Sequence, residues 1–257
     1  METYYYILIV LVGLALGSFF NVVIFRFPAF QKQGFWKPLS GRSKCVSCKS
    51  VIKWFDLVPI MSYFFLKAGC RKCGAKISLM YPIVEISTAA VLLLLFLKTP
   101  LPSYLTALDA FIILLFVLIV FIDIRYLIIP DGILALLIII VIGLKIMNGS
   151  TDFFYLLVSA LGLTSFFGIL FLVSKGKWIG LGDIKLIFLI GLLLGYPASY
   201  IVVISSVWLA TIFSTVLLIL KKVTMKTKVP FGSFLSVATI IFLIFGNELQ
   251  KISRYFY

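Results

Sequence analysis

The sequence predicts an all-α polytopic membrane protein, with about eight transmembrane helices joined by short loops and one long polar loop. Three observations predict this. Hydrophobic residues make up 63% of the 257 positions and charged residues only 12%, against about 25% charged in soluble domains. Mean hydropathy is +1.20. The apolar residues also fall into eight separate stretches bounded by charges, glycine or proline, rather than being spread through one soluble core. The net charge of +14 would suggest a nucleic-acid partner in a soluble chain. Here its distribution among a few loops points to topology and anionic lipid instead, and no nucleic-acid partner is expected. Histidine is absent, which removes histidine-based triads and the commonest transition-metal ligand.

The stretches run over 4–25, 81–97, 104–122, 127–147, 153–173, 183–196, 199–220 and 231–249. The opening Met1-Glu2-Thr3-Tyr4 has no basic n-region, so the first stretch is expected to be a span and not a cleavable signal. The sixth stretch, from Asp183 to Tyr196, is short for a crossing. It is kept apart from the seventh because Gly195, Pro197 and Ser199 read as a turn. The domain division expected is a first span over 1–25, a loop domain over 26–80 and a membrane core over 81–257.

Eight spans put both termini on one side. All of the 23 basic residues except Lys98, Lys145, Lys251 and Arg254 then fall on the opposite side, most of them in loop 26–80. The positive-inside rule places that loop in the cytoplasm and the termini outside.

All four cysteines lie in the long loop, as Cys45-Val-Ser-Cys48 and Cys70-Arg-Lys-Cys73. Two such pairs fit a four-thiolate tetrahedral zinc site, each pair giving two ligands from one tight turn. Disulfides are the rival reading, and a cytoplasmic loop disfavours them. Four protein ligands leave zinc no open position, so its role is to fold the loop.

The nine acidic residues are few enough to weigh singly. Glu2, Asp109, Asp152 and Glu248 fall near outer span ends and read as solvated or capping. Asp56 reads as a turn residue or the partner of a nearby lysine. Glu85, Asp123, Asp131 and Asp183 all fall at the cytoplasmic ends of spans. A carboxylate at membrane depth is costly and is usually kept for a purpose or a partner. Two aspartates that meet in a partly dry site share a proton, and one can activate water while the other protonates an amide. Residue type alone leaves three readings open. They are a catalytic pair, an ion or proton pathway, and plain structure, with Asp131 and Asp183 as helix caps and Asp123 paired to Arg125 or Lys185.

Several segments together resemble the type IV prepilin peptidase family, whose members are GxGD-type intramembrane aspartic proteases. Gly17-Ser18-Phe19-Phe20-Asn21 through Arg26 is similar to its N-terminal signature. The two cysteine pairs, Asp56-Leu57-Val58-Pro59, Ile77-Ser78 and Tyr81-Pro82-Ile83-Val84-Glu85 follow the order of its loop. Asp123 with Ile129-Pro130-Asp131, and Gly180-Leu181-Gly182-Asp183-Ile184-Lys185, are similar to its two aspartate blocks. The last two spans carry no recognised motif.

The resemblance implies a membrane-embedded aspartic endopeptidase. It would remove the leader of type IV prepilins or pseudopilins at the cytoplasmic face, then methylate the new N-terminus from S-adenosylmethionine. Asp123 and Asp183 become the catalytic pair. Gly180, Gly182, Asp131, Lys185 and Glu85 become supporting positions, and Cys45, Cys48, Cys70 and Cys73 hold structural zinc. The implied partners are prepilin or pseudopilin substrates, membrane lipid and the machinery of pili, secretion or DNA uptake, in the bacterial inner membrane. One departure bears on methylation: the family's usual glycine two residues before the third cysteine is Ala68 here, with Gly69 beside it. The alternative, a transporter or channel with an aspartate relay, would call for polar residues through the bilayer. The carboxylates instead cluster at one surface.

Overall fold

The computed structural model describes residues 2–33, 41–99, 103–147, 153–224 and 227–253. Asp152 lies outside them. Among the described residues the regular structure is helical, and each of the eight expected stretches corresponds to one long helix. These are α1 (Glu2–Gln33), α3 (Met80–Lys98), α4 (Tyr104–Tyr126), α5 (Asp131–Met147), α6 (Phe153–Ser174), α7 (Leu181–Leu194), α8 (Ala198–Ile219) and α9 (Phe231–Ser253). A short helix α2 (Met61–Phe65) and a 3-10 turn (Trp54–Leu57) lie in the long loop. Helices α1, α3, α4, α6 and α8 are long and apolar enough to cross a membrane. The chain forms two compact units, Met1–Ala110 and Phe111–Tyr257.

In the first unit, α1 packs on α3, and two glycines set how closely. A methyl at Gly13 would lie 2.6 Å from the Cα of Ala89, and one at Gly17 would lie 2.6 Å from the Cα of Glu85. The four-residue spacing puts both glycines on one helix face, so the backbones touch. Lipid tails give apolar helices no reason to associate, and this kind of close approach supplies the contact. The helix runs eight residues beyond the expected end at 25 and through Pro28. Ile24 at 0% exposure and buried Phe27 anchor this extension. Asn21 Nδ2 donates to the Tyr81 carbonyl at 3.1 Å, and the Phe25 and Tyr81 rings stack at 4.2 Å.

The long loop folds as two copies of one turn. In the first, Cys45 N–H donates to Ser50 O and Lys49 N–H to Cys45 O. In the second, Cys70 N–H donates to Ala75 O and Gly74 N–H to Cys70 O. Each is closed by one antiparallel bridge, Lys44 with Val51 and Gly69 with Lys76. Each needs a left-handed residue at the same place, Lys49 at φ +57° and Gly74 at φ +68°. Asp56 pairs with Arg71 at 2.6 Å, so its partner is an arginine and not a lysine. The Arg71 guanidinium also sits over the Phe55 ring.

In the second unit, α7 is the centre. It contacts α5, α6, α8 and α9. Its 14 residues reach about 21 Å at 1.5 Å per residue, short of the roughly 30 Å hydrocarbon core. It is tolerated because protein surrounds it: Leu186, Ile187, Leu189 and Ile190 are all at 0% exposure. A methyl at Gly191 would collide with the Cα of Ala160, so α6 and α7 also meet backbone to backbone. Gly195, at φ +68°, ends α7, and the turn expected at Gly195–Ser199 separates it from α8. The third and fourth stretches shift at their junction. Helix α4 continues to Tyr126, and α5 begins only at Asp131, because Leu127 is left-handed at φ +55° and Pro130 cannot continue a helix.

Candidate active site and metal centre

Asp123 lies in the last turn of α4 and is 4% exposed. A buried carboxylate requires hydrogen-bond partners, and one of them comes from 110 residues away. The backbone N–H of Ser233, in the first turn of α9, donates to Asp123 Oδ2 at 2.6 Å. The first N–H groups of a helix have no partner within it, so they are available to an acceptor of this kind. The Ser233 hydroxyl donates to the Pro230 carbonyl at 2.6 Å, which fixes the turn that aims the N–H.

Asp183 lies in the first turn of α7 and is half-buried. It accepts the Gly180 N–H at 3.3 Å, a long bond that also serves as a helix cap. Asp183 lies near enough for its charge to act on Asp123. Ile129 joins their surroundings. A methyl at Gly182 would lie 3.2 Å from Ile129 Cβ. One at Gly232 would lie 2.6 Å from Ile129 Cδ1 and 3.1 Å from Asp123 Oδ2. Glycine at 182 and 232 therefore lets three chain segments close around the pair.

Asp131 and Lys185 pair with each other at 2.7 Å, both well exposed at 73% and 51%. Lys185, weighed in the sequence as a partner of Asp123, pairs instead with Asp131. The Asp131 carboxylate goes to that lysine, while the Pro130 carbonyl accepts the N–H groups of Ile133 and Leu134. Glu85 lies in the first unit. It is 7% exposed and accepts the Ile60 N–H at 2.7 Å, with Ser18 and Asn21 beside it. It thereby holds Ile60, at φ +60°, against α3.

The residues that the sequence did not single out are Pro230, Gly232 and Ser233. Their only local signal is a proline and a glycine opening an otherwise apolar stretch.

The four cysteine sulphurs lie within 4.8 Å of one another, and none forms a disulfide. The Cys45 and Cys73 sulphurs are 3.9 Å apart. Tetrahedral zinc with bonds of about 2.3 Å requires sulphurs about 3.8 Å apart, so the donor set fits that ion. The surroundings divide the thiols. The Ser50 hydroxyl and backbone pull Cys48 down to about 6. Cys73 is pulled down by the Ala75 backbone N–H, but desolvation and the three neighbouring sulphurs outweigh this and raise it to about 11.

Comparison with known proteins is consistent across both units. Residues 11–99 match the bacterial peptidase A24 N-terminal domain, and residues 110–216 match the type IV leader peptidase family. A relative from Klebsiella pneumoniae is 34% identical, covering 72% of this chain and 83% of its own length. Relatives from Aeromonas salmonicida, at 27% identity, and Bacillus subtilis, at 26%, cover 96% and 92% of this chain and 93% of their own length. Each of the three is named a prepilin leader peptidase/N-methyltransferase. No solved structure gives a significant match. With both of its units matched and a relative at 34% identity spanning most of its length, this membrane protein belongs to the type IV leader peptidase family.

Proposed function

We propose that the chain is an intramembrane aspartic endopeptidase that cuts the leader from type IV prepilins or pseudopilins, with Asp123 and Asp183 as the catalytic pair. The observation that carries this reading is a buried carboxylate, Asp123, held by a backbone N–H from a distant helix and facing the charge of a second aspartate. In the cleavage step one carboxylate takes a proton from water as its oxygen attacks the scissile carbonyl carbon. The other, protonated, donates to the carbonyl oxygen. The tetrahedral species then collapses: the first carboxyl passes its proton to the amine nitrogen as the C–N bond breaks, and the second takes back the proton from the oxygen. Asp123 Oδ2 is engaged by Ser233, which leaves its other oxygen for the reacting atoms. Gly182 leaves room for Ile129 and Gly180 for the Asp183 carboxylate, so both glycines support the pair by keeping side chains out of its surroundings.

The family names of the relatives add a second activity, methylation of the new N-terminal amine. When bound, S-adenosylmethionine supplies the methyl group. The cysteine cluster holds zinc as a structural ion. The basic loops support an inner-membrane orientation with the cysteine module and both aspartates at the cytoplasmic face and the termini outside.

The test is incubation of the purified full chain with a prepilin and S-adenosylmethionine, with products weighed by mass spectrometry. The expected product has lost its leader and gained 1 methyl group. An uncut prepilin after prolonged incubation with active, folded enzyme would overturn the peptidase reading. A cut but unmethylated product would limit the chain to cleavage.

A further inference from the structure

The short helix α2 (Met61–Phe65) lacks the polar outer face that a helix in contact with water carries. Ser62 and Tyr63, with Leu66 just after the helix, turn inward and line the space between the cysteine module and α1. Met61, Phe64 and Phe65, three and four residues apart, form the other face. They are 59%, 71% and 81% exposed. Apolar exposure continues in the module at Trp54 and at Leu79, the residue before α3. A concentration of this kind marks a surface that is covered by a protein or by a membrane.

The depth at which α2 is held says which. Ile60, the residue before it, donates its N–H to the Glu85 carboxylate at 2.7 Å. That carboxylate has Ser18 and Asn21 of α1 beside it. At this level α1 and α3 touch, since a methyl at Gly17 would lie 2.6 Å from the Cα of Glu85. Both helices are long and apolar enough to cross a membrane. The uncharged run of α1 continues past Asn21 to Phe25, and Arg26 is the first charge after Glu2. Asn21 is therefore about 6 Å inside the end of that run, at 1.5 Å per residue. The start of α2 is tied to the same level, which is the boundary between headgroups and acyl chains. Helices that lie in this plane bury their apolar face about 5–10 Å deep.

We propose that α2 lies in the lipid interface, with Met61, Phe64 and Phe65 inserted among the phospholipids of the leaflet next to the cysteine module. Lys53 and Lys67 are exposed on either side of the segment, where anionic headgroups attract them. A basic leader peptide fits this face less well, because the same lysines repel it. Ile60 makes the turn into α2 at φ +60°. A β-branched residue takes that conformation only where its surroundings enforce it, and the bond to Glu85 is one such restraint. The module then has two supports, metal within it and lipid against α2.

The experiment uses the full zinc-loaded wild-type chain in nanodiscs of phosphatidylethanolamine and phosphatidylglycerol. A trace of phospholipid carries a diazirine in the upper part of one acyl chain, and the residues labelled on irradiation are mapped by mass spectrometry. The expected result is label on Met61, Phe64 or Phe65 as well as on α1. Label on α1 with none on 61–65 overturns the proposal. In a chain carrying both Phe64→Asp and Phe65→Asp, label on Met61 should fall at least about tenfold, with zinc content and the labelling of α1 unchanged. Equal labelling of Met61 in that variant, with zinc retained, overturns the role of the face, and the wild-type measurement needs no variant. Hydroxyl-radical oxidation of Met61, in the same nanodiscs with and without a prepilin, tests the rival occupant. Met61 should be protected in both. Protection only when prepilin is present assigns the face to substrate and overturns the proposal too.

Discussion

The backbone N–H of Ser233 donates to the carboxylate of Asp123 at 2.6 Å, joining the first turn of α9 to the last turn of α4 across 110 residues of sequence. The contact depends on Gly232. A methyl there would sit 2.6 Å from Ile129 Cδ1 and 3.1 Å from Asp123 Oδ2. Gly232→Ala must therefore displace either the isoleucine or the carboxylate. The expected outcome is a fall in leader release of about tenfold to a hundredfold, as for other small displacements of a reacting group, with the protein still folded. Leader release and thermal unfolding, measured on the same preparation, check this. Full activity would show that α9 does not position Asp123.

Asp123→Asn and Asp183→Asn remove the proton-sharing carboxyl with little change of shape. Each should lower cleavage by about a thousandfold or more, and the double variant should be no worse than either single one, because the two act as a unit. Near-normal cleavage by either would refute the assignment. Both measurements come from the rate of leader loss by mass spectrometry.

These two predictions also mark what was legible in the sequence. Glu85, Asp123, Asp131 and Asp183 stood out because a carboxylate is conspicuous in a chain that is 63% hydrophobic, and the resemblance of the two aspartate blocks then picked out Asp123 and Asp183. The cysteines stood out because metal geometry is local: each turn holds its two ligands within four residues. Ser233 was not legible, because a backbone N–H donates whatever side chain it bears. The long-range pairing of Asp131 with Lys185 was equally hidden, since an exposed lysine can reach several carboxylates. The close approach at Gly13 and Gly17 is written in their spacing, but the first stretch reads as a uniform apolar run until its partner helix is known. The short length of α7 was visible. Its central position was not, because burial by protein and burial by lipid call for the same residues.

The Asp131–Lys185 pair is exposed on both sides, so solvent screens it and it is worth about 0–1 kcal/mol. Asp131→Asn should change cleavage by less than about fivefold. A loss as deep as that of Asp123→Asn would move Asp131 into the reacting group.

Zinc affinity should fall as pH falls. Cys48, pulled down to about 6, is a thiolate at neutral pH without help. Cys73, raised to about 11, holds a proton that the metal must expel. Ligands must be deprotonated to bind, so between pH 6 and 8 affinity should rise at least about tenfold per pH unit. Below about pH 6 Cys48 protonates as well, and the slope should steepen. Competition with a chromophoric chelator measures this, and a flat profile would argue against thiolate ligation. Cys45→Ser or Cys73→Ser should lose the metal.

The alanine that departs from the family pattern should affect stability and not chemistry. Ala68 is at φ +55°, next to Lys67 at φ +47°. Both of its backbone groups are committed, its N–H to Tyr63 O at 2.9 Å and its carbonyl to Ile77 N–H at 2.7 Å. The residue cannot relax to a negative φ without breaking them. A left-handed backbone costs a residue with Cβ about 1–2 kcal/mol, and glycine avoids this cost. Glycine at this position is thus explained by backbone conformation, with no reacting group lost when alanine replaces it. Ala68→Gly should raise the stability of the module by about 1 kcal/mol, less whatever entropy the more flexible unfolded chain regains. Denaturation followed by release of zinc to a chromophoric chelator, in zinc-loaded protein, measures it. Donor-dependent methylation of a saturated variant should match the wild-type chain. Lower stability would show that the +55° conformation is not enforced. A large gain in methyl transfer at unchanged stability would show that the glycine acts on chemistry instead.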